Sequence, residues 1–218
     1  AISDAKRVIQ IERKALSLLE KRLNGSFSEA VDIIYKCKGR VIVTGLGKSG
    51  IIAQKIVATL NSTGTPSIFL HSADSVHGDL GIIRRGDVVI CISKSGDTYE
   101  LIQLLLAINQ FDVKVISIVG DVDSKLKDLS DVIIDASVDQ EACPDNLAPT
   151  TSTTAALVMG DALAIALLRK KEFTKEEFAM LHPGGILGRK LLLRVSDLMI
   201  SDQQIPKVKE NALFKDVV

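Results

Sequence analysis

The sequence predicts an α/β protein with a five-stranded, doubly wound parallel sheet in the order 2-1-3-4-5, in three layers and with extra N-terminal helices. Short, almost wholly apolar segments alternate with segments of helical periodicity, which is typical of strands buried on both faces. A glycine-rich loop follows the first of these segments. The predicted strands are residues 40–43, 67–70, 87–92, 114–119 and 131–135, and the main predicted helices are residues 2–23, 27–37, 51–61, 99–109 and 155–169.

The composition of the chain argues against a nucleic-acid-binding or membrane-binding function. The formal net charge is zero, which provides no overall attraction to nucleic acid or to a membrane surface, and aromatic residues are 4% of the chain. The 3 cysteines contain no C-x-x-C pair, so we expect reduced thiols and a cytoplasmic protein. No leader-like segment opens the chain. Any binding of an anion must therefore depend on a local group of residues.

Two amphipathic helices precede the first strand. The first ends at Asn24-Gly25, and Ser26 with Glu29 predicts a capping box for the second. Their apolar faces fit either packing within the subunit, where they could cover the sheet, or contact with another subunit, and amphipathicity does not separate these two alternatives.

A loop rich in glycine, residues 45–50, connects the first strand to its helix. Strand, glycine loop and helix in this order form a cradle for phosphate, because a helix begins with free N–H groups. We expect Gly47, Lys48 and Ser49 to bind a phosphate group. A tight turn without a ligand is the alternative that this loop alone leaves open.

Two nucleotide-binding motifs fit this loop incompletely. The glycine spacing matches a dinucleotide-binding loop, but the second strand is followed by His71 instead of the acid that would bind the ribose. The loop also resembles the end of a P-loop, but position 42, where that motif begins with glycine, is isoleucine. A small phosphate ester is therefore the predicted ligand.

Hydroxyl groups follow the third strand. Ser93, Ser95 and Thr98 precede the next helix, whose free N–H groups and dipole favour an anion. We expect these hydroxyls to bind a phosphomonoester, with Lys48 or Lys94 as a point charge. Helix capping is the alternative for the hydroxyls.

Two histidines and a glutamate lie near the carboxyl ends of strands, where open α/β sheets bind ligands. His71 and His77 share a polar loop, and Glu100 lies in the first turn of the helix after the third strand. A solvated position is the alternative for each histidine, and stabilisation of the helix start is the alternative for Glu100. No clustered ligands nearby complete a zinc site.

The segment from Glu141 to Thr154 combines one carboxylate with a cluster of hydroxyls just before an apolar helix. Such a helix start is a candidate anion-binding position, with Glu141 as a base close to it. A capped loop without a ligand is the alternative.

His182 lies between a helix that begins at a predicted capping box, Thr174 with Glu177, and a segment with Pro183 and glycines that is expected to be irregular up to Arg189. A histidine held there suits general acid/base catalysis. A histidine that simply ends a helix is the alternative.

These segments resemble the sugar isomerase (SIS) domain of D-arabinose 5-phosphate isomerases over roughly residues 1–195, and the segments around Glu141 and His182 are the most specific. The motifs that carry the resemblance are Gly45-Leu-Gly-Lys-Ser-Gly50, His77-Gly-Asp-Leu-Gly81, Ser93-Lys-Ser-Gly96, Glu141-Ala-Cys-Pro144, Leu147-Ala-Pro-Thr150, Ser152-Thr-Thr-Ala155, Gly160-Asp-Ala-Leu163 and His182-Pro-Gly-Gly185. One position departs from the family pattern, because Lys94 stands where a small polar residue is usual.

The resemblance implies interconversion of D-ribulose 5-phosphate and D-arabinose 5-phosphate, which feeds 3-deoxy-D-manno-octulosonate synthesis for lipopolysaccharide or capsule. It implies a homotetramer whose site combines more than one subunit. Because this isomerisation only moves protons, no redox cofactor or catalytic metal is expected. The positions it implies are Lys48, Glu100, Glu141 and His182 for catalysis, and Gly64, Thr65, His71 and His77 for contact with substrate or an inhibitory zinc.

The tail, with Val195-Ser-Asp-Leu-Met199, Ile205-Pro206 and Leu213-Phe-Lys-Asp-Val217, resembles the start of a CBS domain. The resemblance therefore implies two domains, a SIS domain over residues 1–194 and the beginning of a CBS domain over residues 195–218. A hexulose 6-phosphate isomerase of the same fold and a non-catalytic phosphosugar-binding regulatory domain remain as alternative functions. A regulatory domain needs the phosphate loops but neither Glu141 nor His182, so these two residues favour an enzyme.

Overall fold

The computed structural model describes residues 1–75, 78–192, 194–200, 205, 207–213 and 215. The chain divides into two compact units, Ala1–Thr174 and Lys175–Val218. Most of the predicted site residues belong to the first unit and His182 belongs to the second. His77 lies outside the described residues.

A parallel sheet of five strands in the order β2-β1-β3-β4-β5 runs through the first unit, as predicted. The register pairs Gly45 of β1 with both His71 of β2 and Ile92 of β3. The carboxyl ends of these strands therefore meet at one edge. The strands are β1 (Val41–Gly45), β2 (Ser67–His71), β3 (Val88–Ser93), β4 (Lys114–Val119) and β5 (Val132–Asp135).

Helices connect the strands and cover both faces of the sheet. They are α1 (Ile2–Arg22), α2 (Gly25–Lys36), α3 (Lys48–Ser62), α4 (Ser72–Ser75), α5 (Tyr99–Ile108) and α6 (Thr151–Lys170), with 3₁₀ turns at Asp79–Ile82, Lys125–Leu129 and Pro144–Asn146. By length and composition α6 is apolar enough to cross a membrane. Its contacts with α1, α2 and α3 show that it is a core helix.

Successive residues of the strands point into two separate apolar clusters. Val41 and Val43 of β1 pack in a cluster with α2, α3 and α6, whereas Ile42 packs in a second cluster with α5. Each central strand thus buries both of its faces, which is why these segments are almost continuously apolar.

The N-terminal helices pack within the chain, against α6 and, in the case of α2, against β5. Leu19 of α1 and Ile34 of α2 belong to the buried core. The first of the two predicted alternatives is therefore observed for these faces. Ile2 and Ile9 of α1 remain 76% and 66% exposed and take no part in this core.

The starts of several helices differ from the prediction. The capping box at Ser26 is wrong, because Asn24 is the N-cap of α2 and its Oδ1 accepts a hydrogen bond of 2.9 Å from the Ser26 N–H. Helix α3 begins at Lys48 and α6 at Thr151, earlier than predicted. At α6 the predicted capping hydroxyls form the first turn, because Glu141 bonds to the free N–H groups.

The second unit contains α7 (Lys175–Leu181), α8 (Ile186–Leu192) and α9 (Val195–Leu198). Helix α7 ends before Pro183, as expected from the conformation that proline imposes on the preceding residue. The expected irregular segment up to Arg189 is wrong, since α8 begins at Ile186 and carries basic residues in its last turn. The predicted CBS segment starts within this unit, and many of its residues lie outside those described.

Candidate functional site

A cleft with ≈ 380 Å³ of empty space opens at the carboxyl edge of the sheet. It lies between the loops that follow β1, β3 and β4 and the first turn of α6. Its polar lining among the described residues consists of four hydroxyl side chains and a lysine: Ser49, Ser93, Ser152, Thr153 and Lys94. This is the edge at which open parallel sheets bind ligands.

The loop after β1 presents an exposed lysine next to this cleft. Gly47 adopts φ +57° and is the N-cap of α3, so Lys48 and Ser49 form the first turn and their N–H groups have no partner within the helix. Ser49 lines the cleft. Lys48 is exposed and has no hydrogen-bond or ion-pair partner among the described residues.

In the loop after β3, two serine hydroxyls form hydrogen bonds with backbone N–H groups of the same loop. Ser93 Oγ accepts a hydrogen bond of 3.0 Å from the Gly96 N–H, and Ser95 Oγ accepts one of 3.3 Å from the Asp97 N–H. Thr98 Oγ1 lies 3.4 Å from Ser93 Oγ. A hydroxyl that accepts one bond keeps its own proton for donation, so Ser93, which lines the cleft, can still donate to an anion.

Glu141 is buried behind the cleft lining, with 3% of its surface exposed. Its Oε2 accepts hydrogen bonds from the backbone N–H groups of Thr150 at 2.8 Å and Ser152 at 3.1 Å. Its Oε1 accepts a bond of 2.5 Å from Ser152 Oγ and lies 2.7 Å from Lys94 Nζ. Because Ser152 and Lys94 both line the cleft, the carboxylate is one side chain away from the open space.

Glu141 itself occupies the helix start that the sequence predicted as an anion-binding position. The N–H groups at the first turn of α6 bond to this carboxylate, which complements the positive end of the helix. A carboxylate from the preceding segment of the chain thus acts as the cap of α6. Within this cleft, free N–H groups for a phosphate remain at the start of α3.

The hydrogen bonds to Glu141 stabilise its ionised form and lower its pKa. Burial opposes its charge and raises its pKa, but the bonds from Lys94, the Ser152 hydroxyl and the backbone N–H groups of Thr150 and Ser152 outweigh burial and lower the pKa of Glu141 from 4.5 to about 2. A carboxylate with so low a pKa is a weak base. Release or weakening of one of these bonds would make Glu141 a stronger base toward a proton on carbon.

Gly64 and Thr65 lie at the opposite edge of the sheet, just before β2. There Lys171 Nζ donates to the Gly64 carbonyl at 3.1 Å and to Thr65 Oγ1 at 2.8 Å. A strand such as β2 spans roughly 16 Å at about 3.3 Å per residue. The structure therefore does not bring these two residues to the cleft of the same chain.

The residues predicted to bind zinc are described only in part. His71 Nδ1, at the end of β2, lies 3.5 Å from Asp74 Oδ2. Among the described residues, no group of three or more His, Cys, Asp or Glu side chains is placed to hold a metal. His71 and Asp74 supply fewer donors than the three or four protein ligands usual for zinc. Glu100 lies half-buried in the first turn of α5.

In the second unit, His182 follows α7 and is held by Phe178. Its ring stacks on the Phe178 ring with centroids 4.0 Å apart, and its Nδ1 lies 2.9 Å from the Phe178 carbonyl oxygen. Because a carbonyl only accepts, Nδ1 carries the proton in the neutral ring and Nε2 is the atom available to take one.

Sequence reasoning missed the partners of Glu141. It assigned Lys94 to phosphate binding and Ser152 to a helix cap, and it did not pair either side chain with the carboxylate. One feature of the sequence could have indicated this pairing. A buried carboxylate is usually paired with a cation, and Lys94 follows a strand that ends at the same edge of the sheet.

Residues 33–166 match the family model described as the SIS domain. The chain is 51% identical over 207 residues to arabinose 5-phosphate isomerase KdsD of Pseudomonas aeruginosa PAO1 and 49% identical over 213 residues to KdsD of Escherichia coli K12. These matches cover 95% and 98% of this chain, which spans 64% and 65% of the length of the two curated relatives.

A solved structure shares this fold as well. The structure of a protein from E. coli CFT073 in complex with A5P matches with a TM-score of 0.81 and 40% sequence identity. The match covers 84% of this chain and 97% of that chain. The sequence of this chain thus resembles those of proteins named arabinose 5-phosphate isomerase, and its architecture resembles that of a protein with A5P bound.

Proposed function

This chain belongs to the SIS domain family, and we propose that it is an aldose–ketose isomerase that interconverts D-ribulose 5-phosphate and D-arabinose 5-phosphate. The observation that carries the proposal is Glu141, a buried and ionised carboxylate bonded to Ser152 and Lys94 in the lining of the cleft. The names of the relatives and the A5P bound to a similar structure support the choice of substrate.

The reaction moves a carbonyl group between C1 and C2 of the sugar. A base removes the proton next to the carbonyl, an enediol forms, and the proton returns to the neighbouring carbon. One carboxylate performs both steps if it faces one side of the enediol, and we assign this role to Glu141. These steps only transfer protons, so we propose that they need neither a redox cofactor nor a catalytic metal, and we expect turnover to continue in the presence of EDTA.

The phosphate ester fixes the orientation of the sugar. We assign its binding to Ser49, Ser93 and the free N–H groups at the start of α3, because they meet at the cleft. The sugar then extends toward Glu141. Lys48, an exposed cation at this helix start, stabilises the negative charge that develops on the enediolate oxygen.

The aldose requires one further step. D-Arabinose 5-phosphate closes a five-membered ring, whereas the ketose does not, because its O5 is esterified. We assign ring opening to His182, whose Nε2 is available for proton transfer. Glu100 is proposed as a further catalytic group because it matches a catalytic position of the family.

The setting of the enzyme follows from the same resemblance. We propose that it acts in the cytoplasm as a homotetramer, in which Gly64, Thr65 and His77 contact substrate in a site shared between subunits. Its product feeds 3-deoxy-D-manno-octulosonate synthesis. Zinc is proposed as an inhibitor that binds at His71, and the segment from residue 195 is proposed as the beginning of a CBS domain.

Proton NMR of D-ribulose 5-phosphate turnover in deuterated water tests this function. The wild-type protein is expected to form D-arabinose 5-phosphate and to exchange the substrate α-proton with solvent. Glu141→Gln removes the base but keeps the side-chain shape, so exchange is lost while phosphate-ester binding persists. Glu29→Gln, at an exposed position of α2, is the matched control and retains activity.

Three outcomes contradict the proposal when the assay is run with pentose and with hexulose esters. Retained exchange in Glu141→Gln removes Glu141 from the catalytic role. Faster turnover of hexulose 6-phosphates than of pentose 5-phosphates assigns the chain to a different isomerase, and binding without turnover of either ester assigns it to the regulatory class.

A further inference from the structure

Lys94 links the cleft to the proposed base. Its ammonium group has three N–H donors, and it lies 2.7 Å from Glu141 Oε1. The Lys94 side chain is 44% exposed and lines the cleft, whereas the side chain of Glu141 is fully buried. One charged group therefore contacts the carboxylate on one side and the space for the ligand on the other.

The cleft lining offers little positive charge to balance the negative charge of a phosphate ester. A phosphomonoester carries about −1.5 to −2 charges near neutral pH. The other polar groups in the lining, Ser49, Ser93, Ser152 and Thr153, are neutral hydroxyls. Among the described residues, Lys94 is thus the cation of the cleft lining, and in the free protein its charge is largely offset by Glu141.

Glu141 does not depend on Lys94 to remain in place. Its carboxylate keeps the N–H groups of Thr150 and Ser152 and the Ser152 hydroxyl, which all belong to the start of α6. The Lys94 side chain is long and half-exposed, so a small movement of Nζ requires no change in the backbone. Of the bonds to the carboxylate, the one from Lys94 is the easiest to release.

We propose that Lys94 is a phosphate-binding group of the cleft, and that its contact with the ester weakens its bond to Glu141, so that substrate binding converts a capped carboxylate into an effective base. This inference rests on the proposed function, because it assumes a sugar phosphate in the cleft. It agrees with the low pKa of Glu141 in the ligand-free protein, of which Lys94 is one cause.

Substitutions of Lys94 separate binding from catalysis. Lys94→Met removes the charge and is expected to raise the Kd for inorganic phosphate and the KM for D-arabinose 5-phosphate by about 10- to 100-fold, since a charge-assisted bond is lost. Its kcat stays within about tenfold, because Glu141 is then free of its counter-charge. Lys94→Gln is expected to behave in the same way.

Lys94→Arg tests the release step. Arginine keeps the charge, so phosphate affinity stays within about threefold, but its planar fork holds a carboxylate through two bonds and releases it less readily. The kcat of Lys94→Arg is therefore expected to fall about tenfold while its KM changes little. Lys127→Met is the matched control, since Lys127 forms an exposed ion pair of 2.8 Å with Asp123 outside the cleft.

Isothermal titration with inorganic phosphate and steady-state kinetics measure these effects, and circular dichroism verifies the fold. An unchanged phosphate Kd in Lys94→Met overturns the inference. So does a wild-type kcat in Lys94→Arg, which remains decisive if the neutral variants do not fold.

The inference and the proposed function fail in different ways. If the wild-type protein isomerises the pentose ester while Lys94→Met keeps its KM, the function stands and the role of Lys94 is rejected. If the wild-type protein binds phosphate through Lys94 but isomerises no ester, the proposed function fails while the binding site remains.

Discussion

The loops after β1 and β3 have similar sequences but opposite roles in the structure. The first leaves Lys48 exposed and without a partner among the described residues. In the second, the Ser93 and Ser95 hydroxyls accept hydrogen bonds from backbone N–H groups of the same loop, and Lys94 forms an ion pair with Glu141. A shared pattern of Gly, Ser and Lys therefore does not show which donors are free to bind a ligand. The second loop is bonded internally and contacts the buried carboxylate through Lys94, whereas the Lys48 side chain of the first loop has no such partner among the described residues.

The largest expected effect is a loss of kcat that distinguishes Lys48 of the first loop from Lys94 of the second. Lys48→Met is expected to lower kcat by about 10²- to 10³-fold with little change in KM, because stabilisation of a developing enediolate acts in the transition state. Lys94→Met instead raises KM. Steady-state kinetics with D-ribulose 5-phosphate measure both, with Lys127→Met as the control. A Lys48→Met enzyme with wild-type kcat would place Lys48 outside the chemical step.

The stability of the protein in acid tests the carboxylate that bonds to Lys94 of the second loop and to the start of α6. The folded-state pKa of Glu141, about 2, lies below its unfolded value of 4.5. The resulting stability, about 3 kcal/mol, is fully present above pH ~4.5 and is lost as the pH falls through about 2. Glu141→Gln is expected to lack this part of the pH dependence.

Urea unfolding between pH 2.5 and 7 measures this difference, and Glu29→Gln serves as the control that keeps the wild-type slope. If Glu141→Gln loses stability with acid as steeply as the wild-type protein, the carboxylate is not ionised at the start of α6.

Alanine in place of one glycine from each loop compares their packing. Gly96 has φ +67°, and a Cβ there would lie 1.8 Å from Ser124 Oγ. Gly47 has φ +57° but has no atom within 4 Å of such a Cβ. We expect Gly96→Ala to lower the free energy of unfolding by about 3 kcal/mol and Gly47→Ala by about 1 kcal/mol. Equal losses in urea unfolding would contradict the difference in packing.

The smallest expected effect concerns one serine from each loop. Ser93→Ala removes the acceptor of the Gly96 N–H and is expected to lower the free energy of unfolding by about 1 kcal/mol. Ser49→Ala leaves stability unchanged and weakens phosphate binding about threefold to tenfold. Thermal unfolding and phosphate titration of both variants measure this. The opposite result would mean that the first loop, not the second, is internally bonded.

Much of the fold was predictable because its signals are local. The apolar strands, their alternation with helices and the glycine loop predicted both the topology and the edge that holds the cleft, and the structure confirms that topology. Helix boundaries were less predictable. At α6 the first turn depends on Glu141, a residue from the preceding segment, and at α2 two neighbouring polar residues competed as the cap.

The sequence by itself determined the sheet, its order and the polar residues at its carboxyl edge, since periodicity and loop composition are properties of neighbouring residues. Only the tertiary structure decided how these polar groups are paired. It brought Lys94 to Glu141 across 47 positions of the chain, filled the helix start with a carboxylate and placed Gly64 and Thr65 at the far edge. Burial creates these pairings, because a charge removed from water must find its partner wherever the fold places one.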